Sequence, residues 1–481
     1  MIDALCLDEQ PDFYIAHRQK EVLDALKKGE IERVCISQNL PVDKIAAFGL
    51  EEGFLQAGFS CFPDPRKNIE VPMDVILLSQ VLQRLNDEHS LLLAPYMLNN
   101  ADLVTRLGYN VRVMTEGFND RAVYPRETLF HGEVLKHILL SSKAGSLVDW
   151  FNQKWRPIWA KNSPGRTLQY ILDGTKVLVP AHLVSKYEGA GIVKDDQGNV
   201  FYGYKVVFLY EIIDRKGVMV ALKIAAIQRH DIELGKDLIK DFVFEEGSTL
   251  IMDRGFIDGE WITHLKKNLG VDVCMPLRRN MQITQGAIAT ADNRNEWKPH
   301  PTREGQKIYE VREGDLFWQE CPVLKSGVVV RWVQKNGEVN EVLFVTTKQN
   351  QTAKAILEIY NLRAEIEEGH RQLKCFQGLE TLPSKKFVHV VFRIIMGVIG
   401  YNLMNLFLNS EHCTTFEQYS LKTLRQRRRE DPNPKVMIYT ATSFAVLRNF
   451  EFLPMILKLK KSVQEKLSTI FENLDATKVP I

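Results

Sequence analysis

Tyr360, Arg363, Glu367, His370 and Lys374 follow one another at steps of three, four, three and four residues. That spacing puts all five on one side of a helix. One residue earlier runs a second stripe, Ile359, Leu362, Ile366, Gly369 and Leu373, which is apolar or small throughout and is the natural buried face. A helix built this way belongs at the rim of a cleft, where its acid could bind a metal and its cations could bind phosphates. The competing reading is a solvated face with intrahelical charge pairs.

Two further acids bear on that choice. LQYILD (168–173) is apolar until Asp173 and turns at Gly174, while TLIMD is apolar until Asp253 and turns through Arg254 and Gly255. An Asp at the carboxyl end of a buried strand stands where α/β sheets place their ligands, although a lone Asp there is also a common turn or N-cap residue. Converging carboxylates from Asp173, Asp253 and Glu367 suit Mg²⁺, a hard ion that keeps waters and takes its remaining ligands from phosphate oxygens. A pair of such ions roughly 3.5–4 Å apart can activate an attacking oxygen and steady the leaving one. Tyr360, Arg363 and Lys374 then read as phosphate-positioning groups. The chemistry implied is phosphodiester cleavage or transfer.

The elements that must carry these residues alternate along the chain. Residues 13 to 160 show mostly helical periodicity, as in HRQKEVLDALKKG and PMDVILLSQVLQRLNDEHSLLL. From 168 the period changes, and three strands, LQYILD, NVFYGYKVVFLYEII and GVMVALKIAAI, read as a meander. A helix over about 232–243, strand STLIMD, helix GEWITHLKKNLG and strand VDVCMPL follow. Residues 278–350 look β-rich, and helices are expected after 375.

The 481 residues, 45% hydrophobic and 25% charged, describe an ordinary soluble globular chain of about three domains. Net charge is +2, but it is unevenly spread. Residues 1–65 hold twelve acids against six bases, whereas residues 374–481 hold sixteen bases against nine acids. That asymmetry points to a polyanion met by the C-terminal part. Seven scattered cysteines, none in a C-x-x-C pair, fit a reducing cytosol and argue against a zinc site or disulfide framework. The acidic opening MIDALCLDEQ has no signal-peptide character. The apolar stretch from Phe387 to Phe407 is broken by His389, Arg393, Asn402 and Asn405, which predicts a buried core helix and no membrane span.

Tyr360, Arg363, Glu367 and Lys374 match, residue for residue, the Tyr-x2-Arg-x3-Glu-x6-Lys signature of bacterial DDE transposases of the insertion-sequence-four family, which the chain closely resembles. Asp173 and Asp253 align with the first two acids of the triad. They lie 80 residues apart, and Glu367 follows 114 residues later. The resemblance covers roughly 168–405. It implies an α/β, ribonuclease-H-like catalytic core interrupted by a β-rich insertion, with helical N-terminal and C-terminal regions. The corresponding divisions are an acidic region 1–65, a helical domain 66–165 suited to DNA ends, core residues 166–277, the insertion 278–350, core residues 351–410 with the Glu helix, and a basic helical region 411–481 for DNA binding or dimerisation. It also implies cut-and-paste transposition with Mg²⁺, two ions per site and Mn²⁺ as a substitute. The expected partners are transposon-end and target DNA, bound by a homodimer in the bacterial cytoplasm at the nucleoid.

Some relatives flip a base during hairpin formation and stack it on an insertion-domain tryptophan, for which Trp318 and Trp332 are the candidates here. Only Glu367 shares the stripe with Arg363 and Lys374, because Glu365 and Glu368 point about 160° and 100° away. His370 could touch phosphate or orient Glu367, or serve simply as a hydrogen-bonded cleft wall. Arg425, Arg427, Arg428 and Arg429 are either DNA-backbone contacts or a solvated turn, and Arg278 and Arg279 are placed similarly. Two other functions remain open: a domesticated recombinase or nuclease keeping the triad, and an inactive DNA-binding repressor of transposase descent.

Overall fold

A computed structural model of the chain describes residues 15–37, 40–86, 88–98, 100–110, 113, 117–118, 128–160, 166–195, 197–213, 216–376, 378–382, 384–408, 410, 435–448, 452 and 455–471. The chain divides into two compact units, Lys143–Val398 and Met1–Ser142 with Ile399–Ile481.

Unit Lys143–Val398 is built on one ten-stranded mixed sheet. Its strands are β1 (Arg166–Leu178), β2 (Gly191–Lys194), β3 (Val200–Ile213), β4 (Lys216–Ala226), β5 (Thr249–Met252), β6 (Asp272–Pro276), β7 (Lys298–Pro299), β8 (Lys307–Val311), β9 (Ser326–Val333) and β10 (Val339–Thr346). Its helices include α1 (Asp231–Ile239), α2 (Gly259–Asn268), α3 (Gln282–Arg294), α4 (Ala353–Asn361), α5 (Arg363–Phe376) and the first part of α6 (Phe387–Leu408). The mixed α/β class expected from the sequence is present.

Strands run in the order β2-β3-β1-β5-β6-β10-β9-β8-β7, with β4 beside β3. β1, β5 and β6 are parallel neighbours, and the remaining pairs are antiparallel. β5 and β6 are fully buried runs, TLIM and DVCMP, as strands covered on both faces require. β1 does not turn at Gly174 as its sequence suggested. It continues to Leu178, because β3 pairs with it through Leu178↔Gly203, while its other neighbour β5 stops opposite Leu172. Asp173 thus begins the stretch of β1 that has lost its parallel partner. Gly203 is the close approach on that ladder: its φ is 140°, and a Cβ there would lie 2.1 Å from the Val177 carbonyl oxygen.

Two other expectations are corrected. The β-rich stretch 278–350 opens with α3, whose Ile283, Ala287 and Ala291 recur every fourth residue and are buried. Its strands carry the acid-bearing sheet outward, since β10 pairs with β6. The stripe from Tyr360 to Lys374 is carried by two helices. Leu362 bonds back only three residues, to the Ile359 carbonyl at 3.3 Å, and this tight turn separates α4 from α5. α6 is long and apolar enough to cross a membrane, yet 89% of its most apolar window is buried in the protein. His389, Arg393, Asn402 and Asn405 are buried with it.

β4 is an outer strand. Asn152, in the π-helical turn Phe151–Trp155, accepts from the Leu222 amide at 2.9 Å and donates to the Leu222 carbonyl at 3.0 Å.

The other unit contains a four-stranded antiparallel sheet in the order Ile15–His17, Phe444–Arg448, Lys435–Tyr439, Arg33–Ser37. Helices were expected at both ends of the chain; the strands occur there because each end supplies alternating apolar residues to one shared core. Val34, Val436, Ile438, Ala445 and Leu447 bury against Val22 and Leu26 of helix Gln19–Lys28 and Val463 and Leu467 of helix Lys461–Phe471. Beyond that sheet the unit is helical, with Met73–Leu85 buried along nearly its whole length.

Candidate active site

Parallel register brings the two aspartates together. β1 and β5 pair Leu172 with Met252, so Asp173 and Asp253 are the next residues on adjacent strands. Strand neighbours lie about 4.8 Å apart, which sets both carboxyls on one rim of the sheet. Asp253 leaves its strand through a tight turn, Arg254–Phe256, and its Oδ1 accepts from the Gly255 amide at 2.7 Å. α5 then crosses the same face. Ile366 and Leu373 of its apolar stripe are fully buried, and Ile366 reaches down to Gly217 in β4.

Arg363, at the start of α5, is the hub of the cluster. Its Nη2 is 3.3 Å from Asp173 Oδ1 and 3.6 Å from Asp253 Oδ2, while Nη1 is 2.7 Å from Glu367 Oε1. One guanidinium therefore faces all three acids. Burial works against its charge, but Asp173, Tyr360, Asp253 and Glu367 outweigh that and hold its pKa above the ordinary value. The three carboxyls differ greatly in exposure: 7% for the Asp173 side chain, 34% for Asp253 and 65% for Glu367. Burial pushes Asp173 up to about 6; Arg363 opposes the rise and Asp253 adds to it.

His370 completes the buried side. Its ring lies 5.7 Å from those of Phe208 and Tyr210, and its Nδ1 is 3.6 Å from Asp173 Oδ2. Burial, then the Lys374 and Arg363 charges, pull its pKa down to about 3, so it is neutral. Of the roles the sequence left open for His370, the structure sets its ring in the buried wall facing Asp173, the acid on the sheet. Tyr360, on α4, packs its ring 4.8 Å from Phe344, and burial raises its pKa. Lys374 pairs with Glu380 at 3.3 Å.

Trp332, Tyr360, Arg363 and Glu367 line one cavity of about 400 Å³ together with His300 and Arg303. Trp318 lines another, of about 490 Å³, with Arg278, and donates its indole N–H to Glu320 at 2.9 Å. Arg278 also donates to the Arg254 carbonyl at 3.3 Å, next to Asp253. Arg279 turns away to Glu341 at 3.5 Å. Arg425, Arg427, Arg428 and Arg429 lie outside the described residues.

Among the described residues, no three His, Cys, Asp or Glu side chains stand close enough together to hold a metal ion. The geometry explains why: the Arg363 guanidinium lies between the carboxyls. The donor set is nevertheless right for a hard divalent ion, being three carboxylates already gathered about one cation.

Sequence reasoning missed Asp231 and Lys205. Asp231 opens α1 directly behind Gly174, and Lys205 of β3 pairs with it at 3.1 Å. No local periodicity marks either residue, because both matter only through where α1 crosses the sheet.

Residues 164–403 match the family model described as a transposase DDE domain. The match supports a DDE transposase, with this segment as its DDE domain. A search of curated proteins finds no match to the chain. Among solved structures, the cryo-EM structure of a piggyBac transposase synaptic complex with hairpin DNA aligns over 93% of this chain and 85% of that chain. Its identity is 11% and its TM-score 0.41.

Proposed function

We propose that the protein is a DNA transposase of the insertion-sequence-four type, working by metal-dependent cut-and-paste transposition. The observation that carries this reading is the convergence of Asp173, Asp253 and Glu367 on the single guanidinium of Arg363, within the segment that matches a transposase DDE domain. The core order β4-β3-β1-β5-β6 with α5 across its face supports a ribonuclease-H-like reading, and β7–β10 supply the insertion as an extension of that sheet.

DDE transposases generally use divalent metal ions. Asp173, Asp253 and Glu367 would hold Mg²⁺, with Mn²⁺ as a substitute, and Arg363 would have to leave the acids for that to happen. The ions would activate the attacking oxygen and neutralise charge on the phosphate. Asp173 and Asp253, fixed by strand register, set the scaffold. Glu367 swings least constrained, and Arg363, once free of the acids, is placed to meet a phosphate alongside Tyr360. Neutral His370 packs beneath Asp173, its Nδ1 3.6 Å from the carboxyl. Water or a 3′-hydroxyl would act as nucleophile at the transposon end. A hairpin step would use Trp332, in the cavity that also touches Arg363 and Glu367, before Trp318. A homodimer on transposon-end and target DNA, in the bacterial cytoplasm, completes the proposal.

The test is cleavage of a labelled transposon-end duplex with Mg²⁺. Asp173→Ala, Asp253→Ala and Glu367→Ala should each lower the rate by at least about a thousandfold, on the order of 4 kcal/mol, while DNA binding persists. Retained cleavage in any one removes that acid from the site. Uncleaved DNA with the wild-type protein, still tightly bound, would favour the repressor reading.

A further inference from the structure

Strand alternation sends successive residues to opposite faces of a sheet. Asp173 faces α5, as its contacts with Arg363 and His370 show. Gly174, the next residue, presents the opposite face, which α1 covers. A Cβ on Gly174 would lie 2.6 Å from Asp231 Oδ1, so the absence of a side chain there lets the Asp231 carboxyl close up against the strand. The Cβ of Asp231 itself would stand 3.9 Å from a Cβ on Gly255, in the turn that follows Asp253. One turn further along α1, a Cβ on Gly235 would be 3.0 Å from Leu172 Cδ2 and 2.9 Å from Phe256 Cε1. Leu172 immediately precedes Asp173, and the Phe256 amide closes the turn by bonding to the Asp253 carbonyl at 3.2 Å. The start of α1 thus touches the chain before and after Asp173 and the turn after Asp253. Lys205 Nζ ties Asp231 Oδ2 to β3 at 3.1 Å, with only 14% of the lysine side chain exposed.

We propose that the first two turns of α1 set the separation of Asp173 and Asp253 from behind the sheet, with Asp231 and Lys205 as positioning residues. This rests on the reading of the two aspartates as metal-holding acids. Glycine at 174 and 235 lets the helix seat at backbone distance. The ion pair then fixes how far along the sheet it seats. Groups that hold metal-binding side chains in place typically change metal affinity by 10- to 100-fold when removed, and reacting groups tolerate displacements of only about 0.5 Å.

Mn²⁺ binding to the full-length, DNA-free protein, followed by calorimetry and by the electron-spin signal of free Mn²⁺, tests the proposal. Asp231→Asn and Lys205→Met should each weaken Mn²⁺ binding about tenfold. The double variant should be no weaker than the poorer single, because the two act as a unit. Melting temperatures should fall by only a few degrees, and Lys205→Arg should restore most of the affinity. Gly235→Ala, which lifts the helix from Leu172 and Phe256 without touching the ion pair, should weaken Mn²⁺ binding too and keeps the test alive if Asp231→Asn does not fold. Unchanged affinity in the Lys205 and Gly235 variants, with only the melting temperature lowered, overturns the proposal and leaves the pair a structural one. Asp173→Ala is the control for the underlying reading. If it binds Mn²⁺ like wild type, the metal site itself is wrong; if it loses Mn²⁺ while the α1 variants do not, only the positioning role falls.

Discussion

The two aspartates and the glutamate reach the same guanidinium from very different foundations. Asp173 lies on β1 and Asp253 directly follows β5, its parallel neighbour, so that register sets them side by side, with α1 seated tightly behind. Glu367 lies on an exposed helix face, and its described partner, Arg363, is four residues away on the same helix. Asp173 and Asp253 have short side chains on backbone set by strand register, whereas Glu367 is longer and far more exposed and has more rotamers open to it. Two corners of the triad are thus built rigid and the third is built to adjust. The break at Leu362 adds to that contrast, since α5 is not one continuous rod with α4.

The largest effect that separates the two kinds of acid concerns the cost of ionising them. Asp173 has its pKa raised in the folded protein, so between its ordinary value near 4 and about 6 the folded state binds more protons than the unfolded one. Stability therefore falls as pH rises through that window and stays lower above it. Asp173→Asn should make the protein more stable at pH 7–8 by up to about 3 kcal/mol, taking 1.36 kcal/mol per pH unit. Below about pH 4 the two proteins should melt alike. Urea titrations at both pH values measure this, and equal stability at pH 8 would mean that the rigid corner carries no such strain.

A second test addresses the guanidinium that the two kinds of acid share. Arg363→Gln frees the carboxyls and removes a positive charge beside them, so DNA-free Mn²⁺ binding should tighten about tenfold, or about 1.4 kcal/mol. Weaker binding would instead make Arg363 a brace that gathers the acids. The smallest effect belongs to the adjustable corner. Glu367→Gln breaks an exposed i,i+4 pair, for which exposed pairs give about 0.3–0.5 kcal/mol. Its denaturation midpoint should barely move; a large loss would show that Glu367 is held more firmly than its exposure indicates.

How much of this was legible follows from which residues signal locally. Asp173 and Asp253 end apolar runs, and Glu367 sits four residues after Arg363; each signal alone also fits a turn or a solvated face, and only the three together, with the Tyr-x2-Arg-x3-Glu-x6-Lys spacing, single them out. The route of β1 past Gly174 was not legible, because it depends on β3 offering a partner some thirty residues away. The turn at Leu362 leaves the stripe unbroken in sequence while dividing it in space. Asp231 and Lys205 carry no pattern at all, and their roles arise where a helix crosses a sheet. The pairing of Arg33–Ser37 with Lys435–Tyr439 joins segments some four hundred residues apart, which no window of the chain can reveal.

The side-chain amide of Asn152 has a bearing on how copies of this chain meet. By matching the donor and acceptor of Leu222, it behaves as a one-residue strand laid along the outer edge of β4. An unguarded edge of a ten-stranded sheet is a template on which another chain can crystallise into fibrils. Here that template is blunted at its middle by a residue borrowed from a π-turn, which disfavours edge-to-edge growth at β4.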